Sequence, residues 1–266
     1  MLRVKYWVLF CISFPVIAWQ GWRLRRHAPR FPSASGDKPG KVIGRRDEGV
    51  DQSNILLLGL GDSIIAGVGA ETTDQTLTAH LAKELAQLTQ RSVEWRIAGW
   101  SGATAAEITQ NWQSQSSSHS LDSNQKQFVL ISVGVNNVTA LHSTRRWREE
   151  LIDLLSTVRD RYPQIQIILL GLPDFSCFPL LPRPLRHLLA VRRAVFDGIA
   201  KEYAEAQSDI LFIENDLNPS PTDFADDGYH PSAESYVLWA RHIVTVLDTT
   251  LSLAPKRTPS KEEGVL

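Results

Sequence analysis

Five short apolar runs, Ile55 to Leu60, Val93 to Ala98, Phe128 to Val133, Ile165 to Leu170 and Ile210 to Ile213, are each followed by a stretch of helical periodicity. Strands that alternate with helices are joined by crossovers and form a parallel sheet, which needs cover on both faces. The expectation is an α/β protein, a three-layer α/β/α sandwich on a five-stranded parallel sheet, with any site at the carboxyl ends of the strands. Leu77, Leu81, Leu85 and Leu88 mark the first helix, with Asp74 placed to cap it, and Thr104-Ala-Ala-Glu107 reads as a capping box opening the second. Further helices are expected within Arg145 to Tyr162, from about Pro184 through Leu188, Val191, Val195 and Ile199, and from Ser232 to Leu247. The Ser-rich stretch Ser114 to Ser123 reads as a surface loop.

The amino-terminal end is of another kind. Tyr6 to Trp22 are almost wholly apolar or aromatic, with Arg3 and Lys5 before them and Arg23, Arg25, Arg26 and Arg30 after them. The length sits at the lower edge of a membrane span, so a signal-anchor and a cleaved signal peptide both fit, and Val16-Ile-Ala18 resembles a cleavage site. The larger basic cluster follows the apolar run, which favours an uncleaved anchor with the globular domain on the cytoplasmic side; Arg3, Lys5 and the amino terminus pull toward the periplasmic or secreted alternative. The expected organisation is an anchor or signal segment over 1–24, a linker over 25–53, one globular domain over 54–250 and a polar tail over 251–266.

Composition narrows the function. The formal net charge is -1 and no basic stripe interleaved with aromatics occurs in the globular part, so nucleic acid is not an expected partner. Cys11 and Cys177 are the only cysteines, which leaves no disulfide within the domain. The seven histidines are scattered without zinc-ligand spacing, so no metal site and no cofactor are expected.

Four motifs fall at the ends of the first three strands and near the carboxyl end. Ser63, in Gly61-Asp62-Ser63, follows the first strand directly, where its hydroxyl would project from the sheet edge and its backbone N–H would be free at a helix start. A plain turn would look the same; a phosphate loop using Gly67 and Gly69 would need a nearby Lys, and there is none. Gly99-Trp-Ser-Gly102 can turn the Gly102 amide toward an oxyanion, and Gly134-Val-Asn136-Asn137 offers a side-chain amide from Asn136. Each alone reads equally as a turn. Asp227-Gly-Tyr-His230 supplies a carboxylate that can hold the Nδ1 proton of His230 while Nε2 takes a proton from Ser63; Asp226 is the rival carboxylate. Four motifs in this order at strand ends point to nucleophilic catalysis by a serine.

With these blocks in place the stretch from about Asn54 to Leu247 resembles the GDSL esterases and lipases, the SGNH hydrolases. The resemblance implies a flavodoxin-like fold, Ser63 as nucleophile, Asp227 and His230 as the rest of a triad, and an oxyanion hole from the Ser63 and Gly102 amides and the Asn136 side chain. Ile64, Asn137 and Ile97 depart from the family's usual Leu, Asp and Asn; none carries a reacting atom, but they bear on loop hydrogen bonding. The absence of a G-x-S-x-G elbow argues against an α/β-hydrolase fold. The expected reaction is hydrolysis of lipid-like or small acyl esters through an acyl-enzyme, with a carbohydrate O-acetylesterase or acetyltransferase on the same triad as the alternative. Phe175 to Arg186, where apolar and basic residues alternate, reads either as a flap over an acyl pocket or as an ordinary crossover, and Trp100 as a pocket wall or as packing.

Overall fold

A computed structural model describes residues 15–24, 26, 31–36, 39–44, 54–115, 126–217 and 219–253. Six strands form one sheet: β1 (Gly40–Val42), β2 (Ile55–Gly61), β3 (Val93–Gly99), β4 (Lys126–Ser132), β5 (Gln166–Leu170) and β6 (Ile210–Ile213), in the order β1-β3-β2-β4-β5-β6. β2 to β6 are all parallel, whereas β1 runs antiparallel to β3, with Gly40 opposite Trp95 and Val42 opposite Val93. The expected five-stranded parallel sheet is therefore six-stranded and mixed. The extra strand lies within the expected linker; its three residues, Gly-Lys-Val, are too few to carry an alternation. Gly40 lies so close to the Trp95 indole that a Cβ there would collide with the ring.

The longer helices are α1 (Leu77–Thr89), α2 (Ala105–Ser114), α4 (Thr144–Arg161), α5 (Leu185–Glu205) and α6 (Ala233–Leu251), with a single turn, α3 (Val135–Thr139), after β4. The strand period of two divides the apolar residues between two cores. Ile55, Leu57, Phe128, Leu130, Ile168 and Leu170 face α1 and α6. Leu58, Leu60, Val129, Ile131, Ile167 and Leu169 face α2, α4 and α5. On that second side Trp147 stacks on Phe196 and donates its indole N–H to the Phe196 carbonyl at 3.0 Å, tying α4 to α5. α1 is capped by Thr76, which accepts from the Ala79 amide, and not by Asp74, which lies in the preceding short turn. The capping box of α2 forms as read: the Glu107 carboxylate accepts from both the amide and the hydroxyl of Thr104 at 2.8 Å.

Without the antiparallel edge the sheet order is that of a doubly wound flavodoxin-like fold. Its switch point falls at β2 and β4, so the segments leaving these two strands border the crevice where a ligand belongs.

The expected membrane anchor, Tyr6 to Trp22, falls partly outside the described residues, which begin at Pro15. No helix among the described residues is long and apolar enough to cross a membrane. Residues 15–24 are helical and lie against the domain: Ile17 and Leu24 pack on the core of α2, α4 and α5, and the buried Gln20 amide donates to the Arg183 carbonyl at 2.7 Å and accepts from the Leu185 amide at 3.2 Å. In residues 15–24 the end of the apolar run thus meets protein backbone through a buried amide, and the anchor reading finds no support among the described residues. The Ser-rich stretch from 116 onward and Cys11 lie outside the described residues.

Leu57 and Phe128 are fully buried at the centre of the sheet. Leu57→Ala should lower the unfolding free energy by about 2–5 kcal/mol, through lost transfer energy and an unfilled cavity, as read by denaturant unfolding.

Candidate active site

β2 ends in a turn without helical structure over 62–68, so Ser63 stands at the strand end as expected but not at a helix start. Asp62 shapes this turn. Its amide donates to the Ser132 carbonyl at the end of β4 (3.1 Å), and its Oδ1 accepts from the Ile64 amide (3.1 Å) and the Ser132 hydroxyl (3.2 Å). The chain turns so tightly at Gly61 that a Cβ there would collide with the same Ser132 carbonyl. Ser63 is thus held against the end of a neighbouring strand, with its amide unclaimed by any acceptor among the described residues.

Asp227 and His230 close on each other within one short loop. Asp227 Oδ1 accepts from the amides of Tyr229 and His230, each at 2.9 Å, and its Oδ2 lies 2.5 Å from His230 Nδ1. A carboxylate only accepts, so Nδ1 carries the proton in the neutral ring and Nε2 is left with the free lone pair. Burial works to raise the Asp227 pKa, but the bonds from the His230 ring and the two amides outweigh it and hold the carboxyl below its ordinary value. The rival Asp226 is exposed, whereas Asp227 is buried.

Ser63 and His230 line the same cavity, of about 160 Å³, without a hydrogen bond between them among the described residues. Its walls are mainly apolar: Ile64 beside the serine, Val135 from α3, Phe178 and Phe224 from loops, and Leu238 and Trp239 from α6. Phe178 packs edge-on against Tyr229, with ring centres 5.0 Å apart, so the histidine loop and the wall share one aromatic cluster. Gly102 and Asn136 are not among the cavity's lining residues. They are brought to each other instead: Asn136 Nδ2 donates to the Ala103 carbonyl at 2.9 Å, next to Gly102, whose φ of +80° is the left-handed conformation that glycine tolerates. Trp100 packs on the core and does not line the cavity, and Phe175 to Arg186 is largely a packed crossover, with Phe178, Leu181 and Leu185 all buried.

Several contributors had no motif to announce them. Tyr236 on α6 donates to the Val68 carbonyl at 2.7 Å, and Gly69, at φ +97°, lies so close to the Pro231 carbonyl that a Cβ would collide with it. These two contacts lock the serine turn to the histidine loop and the helix that follows it, and the second explains Gly69, one of the two glycines that a phosphate loop would otherwise claim. Asn137, the departure from the family's Asp, is fully buried: it accepts from the Ala105 amide at the start of α2 (3.1 Å) and donates to Glu150 on α4 (2.6 Å). Asn215, after β6, lines the cavity with an Nδ2 that is buried and unpaired among the described residues. Asp62 carries a similar tension, since its Oδ2 is buried and meets no donor among the described residues. Burial pushes its pKa up to about 6, against the opposing bonds from Ile64 and Ser132 and the attraction of His230.

Because folded Asp62 keeps its proton to a higher pH than an unfolded carboxyl near 3.8, ionising it works against the fold. Its contribution to stability should therefore fall as pH rises from about 4 to 6, by roughly 3 kcal/mol at most. Unfolding measured across that range should show the difference between the parent and Asp62→Asn shifting in favour of the variant as pH rises. Gly69→Ala should cost about 1–3 kcal/mol from backbone strain alone, seen as a lower Tm.

The chain's relatives agree with this architecture. The model of the GDSL-like Lipase/Acylhydrolase family matches residues 60–238. The GDSL-like esterase Rv1075c of Mycobacterium tuberculosis is 25% identical over 206 residues; the match takes in 75% of this chain but 63% of that protein, so this chain spans under two thirds of its relative. Among solved structures, a family 3 carbohydrate esterase of Clostridium thermocellum superposes with a TM-score of 0.58 at 19% identity, covering 76% of this chain and 100% of that one. The lipase/acylhydrolase from Enterococcus faecalis gives 0.56 at 20% identity, over 77% of this chain and 100% of that one. These two likenesses speak for the fold, while the family match reaches from the end of β2 into α6 and takes in the serine turn, the Gly102 and Asn136 loops and the histidine loop; the chain belongs to the GDSL-like lipase/acylhydrolase family of hydrolases.

Proposed function

We propose that the protein is a serine esterase that cleaves carboxylic esters with short, apolar acyl groups. The observation that carries the reading is a shared cavity: the Ser63 hydroxyl and the His230 ring border one apolar chamber, and His230 is already oriented by a buried carboxylate. In this mechanism His230 Nε2 takes the Ser63 proton as Oγ attacks the ester carbonyl and the Ser63 amide receives the oxyanion; the Gly102 amide and the second Nδ2 hydrogen of Asn136, which stand outside the cavity lining, are assigned to the same oxyanion by the family resemblance alone. Asp227 keeps the imidazolium in place. Collapse of the tetrahedral intermediate sends the proton from His230 to the departing alcohol and leaves an acyl group on Ser63, which a water activated by the same imidazole then removes.

Size and lining suggest the acyl group. A cavity near 160 Å³ is about the volume that encloses a benzene ring, and its walls offer mainly hydrocarbon. Butanoyl and hexanoyl esters match it better than an acetylated sugar would, because the aromatic rings Phe178, Tyr229 and Phe224 are packed on one another rather than splayed to stack on a sugar. A carbohydrate O-acetylesterase is the second reading, favoured by the likeness of fold to the Clostridium thermocellum carbohydrate esterase.

Chromogenic esters of increasing chain length are the test. Ser63→Ala should lower kcat/KM by at least about 10³-fold, and Asn136→Ala by roughly 10²- to 10³-fold, both without loss of folding. Full activity in Ser63→Ala would refute the mechanism, and an acetyl-only profile would move the substrate to the sugar reading.

A further inference from the structure

The helix of residues 15–24 has two faces, and the domain uses one of them. Ile17, Gln20 and Leu24, spaced three and four apart, turn toward the protein, where Gln20 is 8% exposed. The opposite face carries Val16, Trp19 and Trp22, which are 45%, 53% and 54% exposed, a concentration of large apolar side chains that a protein surface does not ordinarily leave in water. The cations lie on the same side. The Arg23 guanidinium stands 5.4 Å from the Trp19 ring centre and that of Arg26 stands 5.3 Å from Trp22, so each indole has a positive charge stacked on it.

We propose that this face seats the protein on an anionic lipid surface, the helix lying in the plane of the bilayer boundary rather than crossing it. Tryptophan and arginine side by side suit that boundary: the indole occupies the zone between acyl chains and headgroups, and the guanidinium reaches lipid phosphate from the same depth. Charge complementarity selects the partner. The whole chain has a formal net charge of -1 and would not be drawn to an acidic surface, whereas this segment places Arg23 and Arg26 beside its exposed tryptophans and has Arg25 and Arg30 close by in sequence. The domain-facing side makes the contact consequential. Gln20 is bonded to the backbone at Arg183 and Leu185, in the last residues of the crossover whose Phe178 forms a cavity wall, so a lipid-bound helix holds that wall near the bilayer. This placement is independent of which residue is the nucleophile.

The full chain should be mixed with vesicles of phosphatidylglycerol and phosphatidylcholine, and with phosphatidylcholine alone, and separated by flotation. The parent should float with the anionic vesicles. Trp19→Ala/Trp22→Ala should weaken that partitioning by at least about tenfold, from the apolar area no longer withdrawn from water. Arg23→Gln/Arg26→Gln should weaken it by about fivefold per charge on anionic vesicles and hardly at all on zwitterionic ones. Both variants alter exposed side chains and should keep the parent's Tm. The proposal is overturned if the parent stays with the soluble fraction at low salt. It is also overturned if both variants float as the parent does, which would put the binding elsewhere in the chain. Concentration-dependent dimerisation that the tryptophan variant abolishes, with no vesicle binding, would make the face a contact between two copies instead.

Discussion

The Asp62 carboxylate organises the centre of the molecule. Through Ile64 and Ser132 it bends the chain leaving β2 and fastens it to the end of β4, so the turn that carries Ser63 is fixed to the two strands flanking the switch point. The cost is a buried oxygen with no donor among the described residues. Burying an acid with incomplete pairing favours its neutral form, and a carboxyl that loses its proton only near pH 6 is the outcome. Local strain and local rigidity here have one origin.

The histidine loop shows the opposite balance. Asp227 is also buried, yet three donors from a four-residue loop saturate it, so it stays ionised and available to the imidazole. Two acids near one ring are driven apart by depth and donors together: Asp62 is the more deeply desolvated and Asp227 the better supplied with hydrogen bonds. Tyr236 and Gly69 then set the distance between the two loops, one by a bond to Val68 and the other by having no side chain at all.

Much of this was legible in the residues. β2 and β4 to β6 were readable because each holds an apolar run, and β3 because Val93, Trp95 and Ile97 alternate with Glu94 and Arg96; that Asp227 and His230 lie together was readable from their spacing of three. β1 was not, since Gly-Lys-Val has no period and earns its place only by pairing with β3. The cap of α1 went to Thr76 rather than Asp74 because the chain makes an extra short turn first, and two adjacent cap formers cannot be ranked without it. Asn137 looked like a weakened family residue; its worth comes from Glu150, thirteen positions on and across a helix. The parallel between the serine turn and the histidine loop depends on contacts more than 150 residues apart, and no local pattern encodes those.

Gln20 has a consequence for maturation. Cleavage after Ala18 would leave Gln20 as the second residue of the shortened chain, and a cut after Gln20 would strip two main-chain groups at Arg183 and Leu185 of their partners. Both lie where the crossover meets α5, a short way from Phe178. The amino-terminal helix is thus a structural neighbour of the pocket wall, joined to it through the backbone that runs on from Phe178.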